Sequence, residues 1–389
     1  MKRKGFTLIE LLAVIVVLAI IALIATPIVM DTIKSAKKGA AERTAENYID
    51  AVETAVATKR LDEIILEGEY LIQTNGNLCP TSGCGENDKD KVVIEMNGNK
   101  PIKGTITISN GQVTTDSKMI VEEYMVRYDE TIKRYIAEEP KKYNDGEVVY
   151  FNVDTGTQCT SSEYTEAQSN TGVKEGCMKF YAFNDEGGFA LNLILDHNTT
   201  ATVAWNDTYT DDSGAKINTK GPKEVLEQLK TDTDTWLGTE TPANYTMDQA
   251  TQTSKASYTV DYSSYKARLI TANEVAQITG NTSWDEKNPS GTYYFDTNTS
   301  SQSITCQSGN TSGCAYGWLY DRTSQTCTKY GCFNNSNQII YGYWTASSRA
   351  DGTSRAWYVH YHALVTGDSV VNSYYGVRPV IEVLKFRLS

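Results

Sequence analysis

Polar and apolar positions change their pattern along this 389-residue chain. From Phe6 to Ala25 the only polar side chains are Thr7 and Glu10, and Leu11 to Ala25 is unbroken apolar sequence. A helix over this stretch is apolar on every face and about 30 Å long, the hydrocarbon thickness of a bilayer. After Pro27 the pattern becomes amphipathic. Ile33, Ala36, Ala40, Ala45, Tyr48, Ile49, Val52 and Val56 recur at three- and four-residue spacings, while Lys34, Lys37, Lys38, Glu42, Arg43, Glu46, Asp50 and Glu53 fill the other face. Together these stretches predict one helix from Phe6 to about Arg60, about 80 Å long. Pro27 cannot donate a backbone hydrogen bond and should kink or loosen it.

Further on, short runs of β-formers alternate with turn residues. Val92–Met96, Gly104–Ile108 and Ile120–Tyr128 read as strands of a meander over 61–137, punctuated by Asn97-Gly98-Asn99 and Asn110-Gly111. Charge and proline at Glu138-Glu139-Pro140-Lys141-Lys142 mark a linker. A second domain, 138–389, then opens with predicted strands at Gly146–Phe151, Met178–Phe183 and Phe189–Leu195. A short helix follows from Gly221, with Pro222 in its first turn and Val225, Leu226 and Leu229 as its buried face. The fold class is α+β: a long apolar helix on a small antiparallel β head, followed by a second α+β domain.

The N-terminal stretch holds a contradiction. An ionised Glu10 in a membrane helix is unfavourable by roughly 2–3 kcal/mol, so it needs a partner. Lys2, Arg3 and Lys4 orient the span with its start on the cytoplasmic side and the bulk of the chain outside. A secretory signal peptide has the same basic start, but Leu23 and Ala25 meet its cleavage rule only in part. A plain anchor leaves Glu10 without a role.

The residues KGFTLIELLAVIVVLAIIALIATP resemble the N-terminus of type IV prepilins and pseudopilins. That resemblance implies a leader of residues 1–5, cut after Gly5 by a prepilin peptidase that methylates the new N-terminal Phe6. It also places the family's glutamate on Glu10 and its helix-kinking proline on Pro27. Cleavage would expose an α-amino group four positions from Glu10, so that stacked subunits could pair this carboxylate with a neighbour's amine in a dry environment. The partners implied are prepilin peptidase, the cytoplasmic membrane and other pilin subunits.

Composition narrows the field. A net charge of −12, more negative once the basic leader is removed, argues against nucleic acid as a partner, since phosphate contacts need clustered Lys and Arg. Eight cysteines fall as Cys79/Cys84, Cys159/Cys177, Cys306/Cys314 and Cys327/Cys332. In an exported chain an even count favours disulfides, and sequential pairing would give local staples, although eight cysteines admit on the order of a hundred pairings. No CxxC is present to suggest zinc.

The C-terminal third carries a second resemblance, through Ala267–Val275, Gly342–Ser348, Ala356–Val359 and Tyr375–Ile381. In this order they look like the C-type-lectin-like fold in its broad sense, including domains related to formylglycine-generating enzymes. Their residues have architectural explanations. Thr271 and Glu274 form a capping box, Trp344 and Trp357 are core aromatics, and Arg378 is suited to a buried carboxylate or backbone carbonyls. His360 and His362 share a strand face, but no further ligand accompanies them. His197 stands beside Asp196 without a nucleophile motif. Trp205-Asn206-Asp207 mimics a calcium triplet at the wrong place in the chain. Asn198, Asn206, Asn281, Asn298 and Asn310, each opening an Asn-x-Ser/Thr triplet, should mark exposed loops. No catalytic residue, cofactor or metal is assigned, and an enzyme is not expected.

These readings converge on a pilin-like subunit, membrane-anchored and then extracellular, whose head adheres to a surface glycan or protein, as a minor or tip pilin. The alternatives are a pseudopilin of a secretion or DNA-uptake system, and a tethered enzyme using His360 or His362.

Overall fold

The computed structural model describes residues 8–81, 84, 91–164, 176–248, 256–282, 284–287, 293–295, 297–298, 303–304, 315–319, 325–328, 331–334, 342–360 and 364–388. Contacts divide the chain into two units, 1–140 and 141–389. The division falls in the charged, proline-containing segment that the composition marks as a linker.

The first unit is built on α1, Leu8–Leu61. This helix is continuous through Pro27, so the loosening expected there does not interrupt it. Pro27 removes one backbone donor, and on either side of it the Thr26 and Thr32 hydroxyls donate to the carbonyls of Ala22 (2.6 Å) and Ile28 (2.8 Å). Basic Lys59 and Arg60 occupy the last turn, and Glu63 in the left-handed region (φ 62°) closes it.

The buried stripe of α1 consists of Ala41, Ala45, Tyr48, Ile49, Val52 and Val56. It starts later than the amphipathic pattern suggests: Ile33, Ala36 and Ala40 remain exposed. The reason is the reach of the covering sheet. Its strands are β1 Gly68–Ile72, β2 Leu78–Pro80, β3 Lys103–Ser109, β4 Gln112–Val113, β5 Lys118–Val121, β6 Tyr124–Asp129 and β7 Arg134–Glu138. They run antiparallel in the order β2-β1-β3-β5-β6-β7, with β4 on β3. Inward residues such as Ile106, Ile108, Met119 and Val126 meet the helix stripe. The Tyr48 hydroxyl donates to the Gly76 carbonyl at 2.8 Å. At the sheet's margin, Lys34–Glu139 (2.5 Å) and Lys37–Glu123 (2.7 Å) pair helix and sheet.

Two strand readings are corrected. Ile120–Tyr128 is not one strand but the hairpin β5–β6, in which Val121 pairs Tyr124 and Glu122 takes φ 54°. A Glu-Glu turn carries none of the Asn-Gly chemistry that announces a hairpin, whereas Asn110-Gly111, both at positive φ, does. Val92–Met96 keeps the alternation of a strand, with Val92 and Ile94 buried, but only Val92 bridges, to Leu78. The short β2 offers it no longer partner.

The second unit contains two larger antiparallel-rich sheets. One is ordered β24-β11-β10-β8-β9, from β8 Val148–Asn152, β9 Thr157–Gln158, β10 Cys177–Phe183, β11 Ala190–Leu195 and β24 Val380–Leu384. The other is ordered β12-β23-β20-β21-β22-β15, from β12 Thr200–Val203, β15 Tyr293–Tyr294, β20 Gly342–Ser348, β21 Arg355–His360, β22 Leu364–Ser369 and β23 Tyr375–Val377. Small hairpins pair β13 Tyr245–Asp248 with β14 Ser257–Val260, β16 Thr297–Asn298 with β17 Ser303–Ile304, and β18 Gln325–Thr328 with β19 Gly331–Asn334.

Helix α2, Glu224–Thr233, buries Val225, Leu226 and Leu229. It begins two residues past Pro222, because the Lys223 N–H is held by the Trp205 carbonyl at 2.9 Å. The second helix of this unit is α3, Ala272–Ile278. Trp205, Trp236, Trp344 and Trp357 are fully buried in the unit's core. The indole N–H of Trp205 donates to the Thr345 carbonyl (2.9 Å), and that of Trp344 to the Val203 carbonyl (2.7 Å).

Asn198 and Asn206 are fully buried, contrary to the exposed loops expected of their triplets. Their amides bridge the chain internally. Asn206 Nδ2 donates to the carbonyls of Tyr209 (3.1 Å) and Ile217 (2.6 Å), and Asn198 Nδ2 to that of Gly342 (3.2 Å). Asn281 is half-buried, Asn298 lies in β16, and Asn310 lies outside the described residues.

Asn218 has the same role: fully buried, its Nδ2 approaches the carbonyls of Arg349 (3.1 Å), Gly352 (2.9 Å) and Arg355 (2.6 Å). Asn218→Ala should therefore destabilise the second unit by about 2–3 kcal/mol, through orphaned buried carbonyls. All six tryptophans lie after residue 141, so fluorescence-detected urea denaturation reads this unit alone. An unchanged midpoint would contradict the assignment.

Candidate functional site

The most distinctive surface of the molecule is the N-terminal half of α1. Leu8 (87% exposed), Leu18 (59%), Ile24 (61%) and Ile33 (51%) sample a stretch whose large apolar side chains stay uncovered. Among the described residues, α1 is the one helix long and apolar enough to cross a membrane, and none of its most apolar window is buried. Glu10 stands in the first turns of this surface and Pro27 near its end. Gly5 and Phe6 lie outside the described residues. The arrangement offers burial to a bilayer or to like helices. Glu10 is the one carboxylate between Phe6 and Ala25, and a charge set at that height would make axial register count, since burying it without an opposite charge is costly.

The disulfides Cys79–Cys84 and Cys159–Cys177 are present. Cys327 and Cys332 face each other in register across β18–β19, while Cys306 and Cys314 lie outside the described residues. His360 ends β21, half-buried, and His362 lies outside the described residues. No group of three or more potential metal ligands occurs among the described residues. His197 Nε2 meets Asp196 Oδ2 at 3.0 Å, and Lys179 Nζ approaches Oδ1 at 3.2 Å. Burial pushes the Asp196 carboxyl up, but these cations outweigh it and hold it well below the usual range. Arg378 is buried against the carbonyls of Leu195 (2.6 Å), Asp196 (3.1 Å) and Trp318 (2.6 Å), the architectural alternative expected of it.

The start of α3 shows what the local motif conceals. Thr271 and Glu274 form the capping box: the Glu274 N–H donates to Thr271 Oγ1 (3.1 Å) and the Thr271 N–H to Glu274 Oε2 (2.8 Å). Glu274 also receives a two-pronged contact from Arg268, Nη1–Oε2 at 2.9 Å and Nη2–Oε1 at 2.7 Å. Burial raises its pKa, but Arg268 and the Thr271 donors win, leaving it below the ordinary 4.5. Nearby Glu286, 3% exposed, accepts from Tyr245 Oη (2.8 Å), from the Asn273 N–H (3.2 Å) and from Ser347 Oγ. With hydroxyl and amide donors but no cation among these contacts, burial prevails and its pKa is raised. Sequence carries no sign of Glu286, because a lone Glu in a polar loop reads as solvated.

Residues 1–26 match the family model described as the prokaryotic N-terminal methylation motif. No curated protein and no solved structure matches the chain. The motif and the exposed apolar helix support a type IV pilin-like or pseudopilin precursor, a structural subunit anchored in a membrane before it assembles with other pilins.

A pH test separates the two roles of Glu274. Its folded-state pKa is depressed, so the stability it contributes is present above the unfolded value and is lost as pH falls through the folded value. Glu274→Gln should cost about 3 kcal/mol at neutral pH. The gap to wild type should shrink on acidification below the ordinary 4.5. A gap independent of pH would contradict a contribution from the ionised Glu274 carboxylate and its contact with Arg268.

Proposed function

We propose that this chain is a type IV pilin-like subunit that polymerises through α1 and carries its second unit as an adhesive head, in the place of a minor or tip pilin. Prepilin peptidase cleaves after Gly5 and methylates Phe6, and the span leaves the bilayer as subunits stack. The observation that carries this reading is the uncovered apolar surface of α1 with Glu10 set into it, within the matched motif. Each large aliphatic side chain moved from solvent into a helix bundle contributes about 1.5–3 kcal/mol. Bilayer and bundle alike satisfy that term. What distinguishes the bundle is an amine on a neighbouring subunit to meet Glu10, which lipid does not provide.

The extent of the second unit favours a displayed head over the piston of a pseudopilin, the competing member of the same class. Its C-type-lectin-like reading is supported by the final strand β24, which pairs with β11 in the sheet that opens the unit, and by Trp344 and Trp357 buried on β20 and β21.

Glu10→Gln keeps the shape and removes the charge. It should leave the membrane pool of the subunit intact and lower its amount in sheared fibres by at least about tenfold, the equivalent of about 1.4 kcal/mol. Immunoblots of membrane and sheared fractions measure both. Equal incorporation of the variant would overturn the charge-pairing account.

A further inference from the structure

We propose that Glu286, Tyr245 and Ser347 form a proton-operated latch, a hydrogen-bonded ring that holds the start of α3 to β13 and β20. The carboxyl proton of Glu286 completes the ring, and its loss loosens the latch. The three groups contact one another pairwise. Tyr245 Oη lies 2.8 Å from Glu286 Oε1 and 3.0 Å from Ser347 Oγ, and Ser347 Oγ is hydrogen-bonded to Glu286 Oε2. Three such contacts need three protons, one between each pair.

The two hydroxyls supply only two. With Glu286 ionised, both protons go to the carboxylate, and the lone pairs of Tyr245 and Ser347 are left facing each other. The backbone does not fill that gap, because the Ala272 N–H donates to Ser347 Oγ (3.0 Å) and the Asn273 N–H to Glu286 Oε2 (3.2 Å). Met247 Sδ, 3.8 Å from Tyr245 Oη, is a weak acceptor and could only draw a proton out of the ring. A proton on the Glu286 carboxyl closes it. One of the two hydroxyl contacts then runs outward from the carboxyl, and each of the three groups both donates and accepts.

The ring joins elements far apart in sequence. Tyr245 is on β13, Ser347 on β20, and Ala272 and Asn273 begin α3, where the Asn273 side chain also receives the Glu286 N–H at 3.0 Å. Ser347 is fully buried and Glu286 nearly so, and a lone charge there is costly. The groups around it do not offset that cost. Glu274 on α3 is an anion engaged with Arg268 (2.7 Å), and the Tyr258 hydroxyl on β14 donates to the Ala346 carbonyl (2.8 Å). Arg349, just past β20, is held by Asp351 (2.8 Å), and Asp285 and Lys287 flank Glu286 in its own loop. Among the described residues no cation lies within salt-bridge distance of Glu286. Burial accordingly raises its pKa above the ordinary 4.5. The latch's contribution is therefore complete below the unfolded value and is lost as pH rises through the folded one, the opposite sense to Glu274.

Infrared spectroscopy and urea denaturation of the full chain in detergent micelles test the latch. A protonated carboxyl C=O band should persist above about pH 5, where ordinary carboxylic acids are ionised, and be lost in Glu286→Gln. Gln supplies one donor and one acceptor, so it completes the ring without a titrating proton. Relative to Glu286→Gln, the wild-type unfolding constant read by tryptophan fluorescence should rise with pH above the ordinary 4.5. The rise should reach up to about tenfold per pH unit until the folded value is passed. Hydrogen–deuterium exchange of the segment 268–280, normalised to intrinsic rates, should lose protection over the same range in wild type alone. A band indifferent to the substitution, or a difference between wild type and variant that is flat or reversed with pH, would overturn the proposal. Should Glu286→Gln not fold, Tyr245→Phe removes one hydroxyl from the ring, and a band it leaves unshifted would overturn the proposal equally.

Discussion

α1 carries an apolar surface that the sheet of the first unit leaves exposed, and the first unit is built around that fact. From Leu8 to Ile33 the large side chains of α1 stay exposed, and the sheet of the first unit reaches the helix only from Ala41 onward. No rearrangement within a short β meander could bury some 40 Å of helix, so the surface demands a bilayer or a partner. The sheet of the first unit stops short of it: the ion pairs Lys34–Glu139 and Lys37–Glu123 mark the sheet's margin, and the buried stripe begins just past it.

In the assembly proposed above, Glu10 would convert a nonspecific attraction into a specific one. Apolar burial is non-directional and would be satisfied by helices at many heights. A carboxylate buried without hydrogen-bond donors around it is costly unless a cation meets it, which would favour one register over the others. The same logic recurs in the second unit at smaller scale. Arg268 beside Glu274 fixes the start of α3, whereas Glu286, met by hydroxyl and amide groups, is held by hydrogen bonds with its pKa raised.

Much of this is legible in the sequence, and the reasons differ by element. The apolar run and the three- and four-residue spacing after Pro27 announce α1, because helical period and length are local properties. Where the stripe becomes buried is not local, since it depends on how far β6 and β7 extend, and so Ile33, Ala36 and Ala40 read as core when they are surface. Asn110-Gly111 declares its hairpin, whereas Glu122-Glu123 hides one because its turn is imposed by the pairing of β5 with β6. Thr271 and Glu274 are visible as a cap, but Arg268 as partner emerges only in space. Asn198 and Asn206 read as loop residues and, like Asn218, serve as internal braces, since an amide reads the same in sequence whether its partner is water or a carbonyl.

In the function proposed here, α1 is processed to present a new amine near Glu10. Mass spectrometry of the protein isolated from its native cells tests this most directly. The mature chain should begin at N-methylated Phe6. A chain beginning near Thr26, or one still carrying Met1 to Gly5 in assembled material, would contradict it.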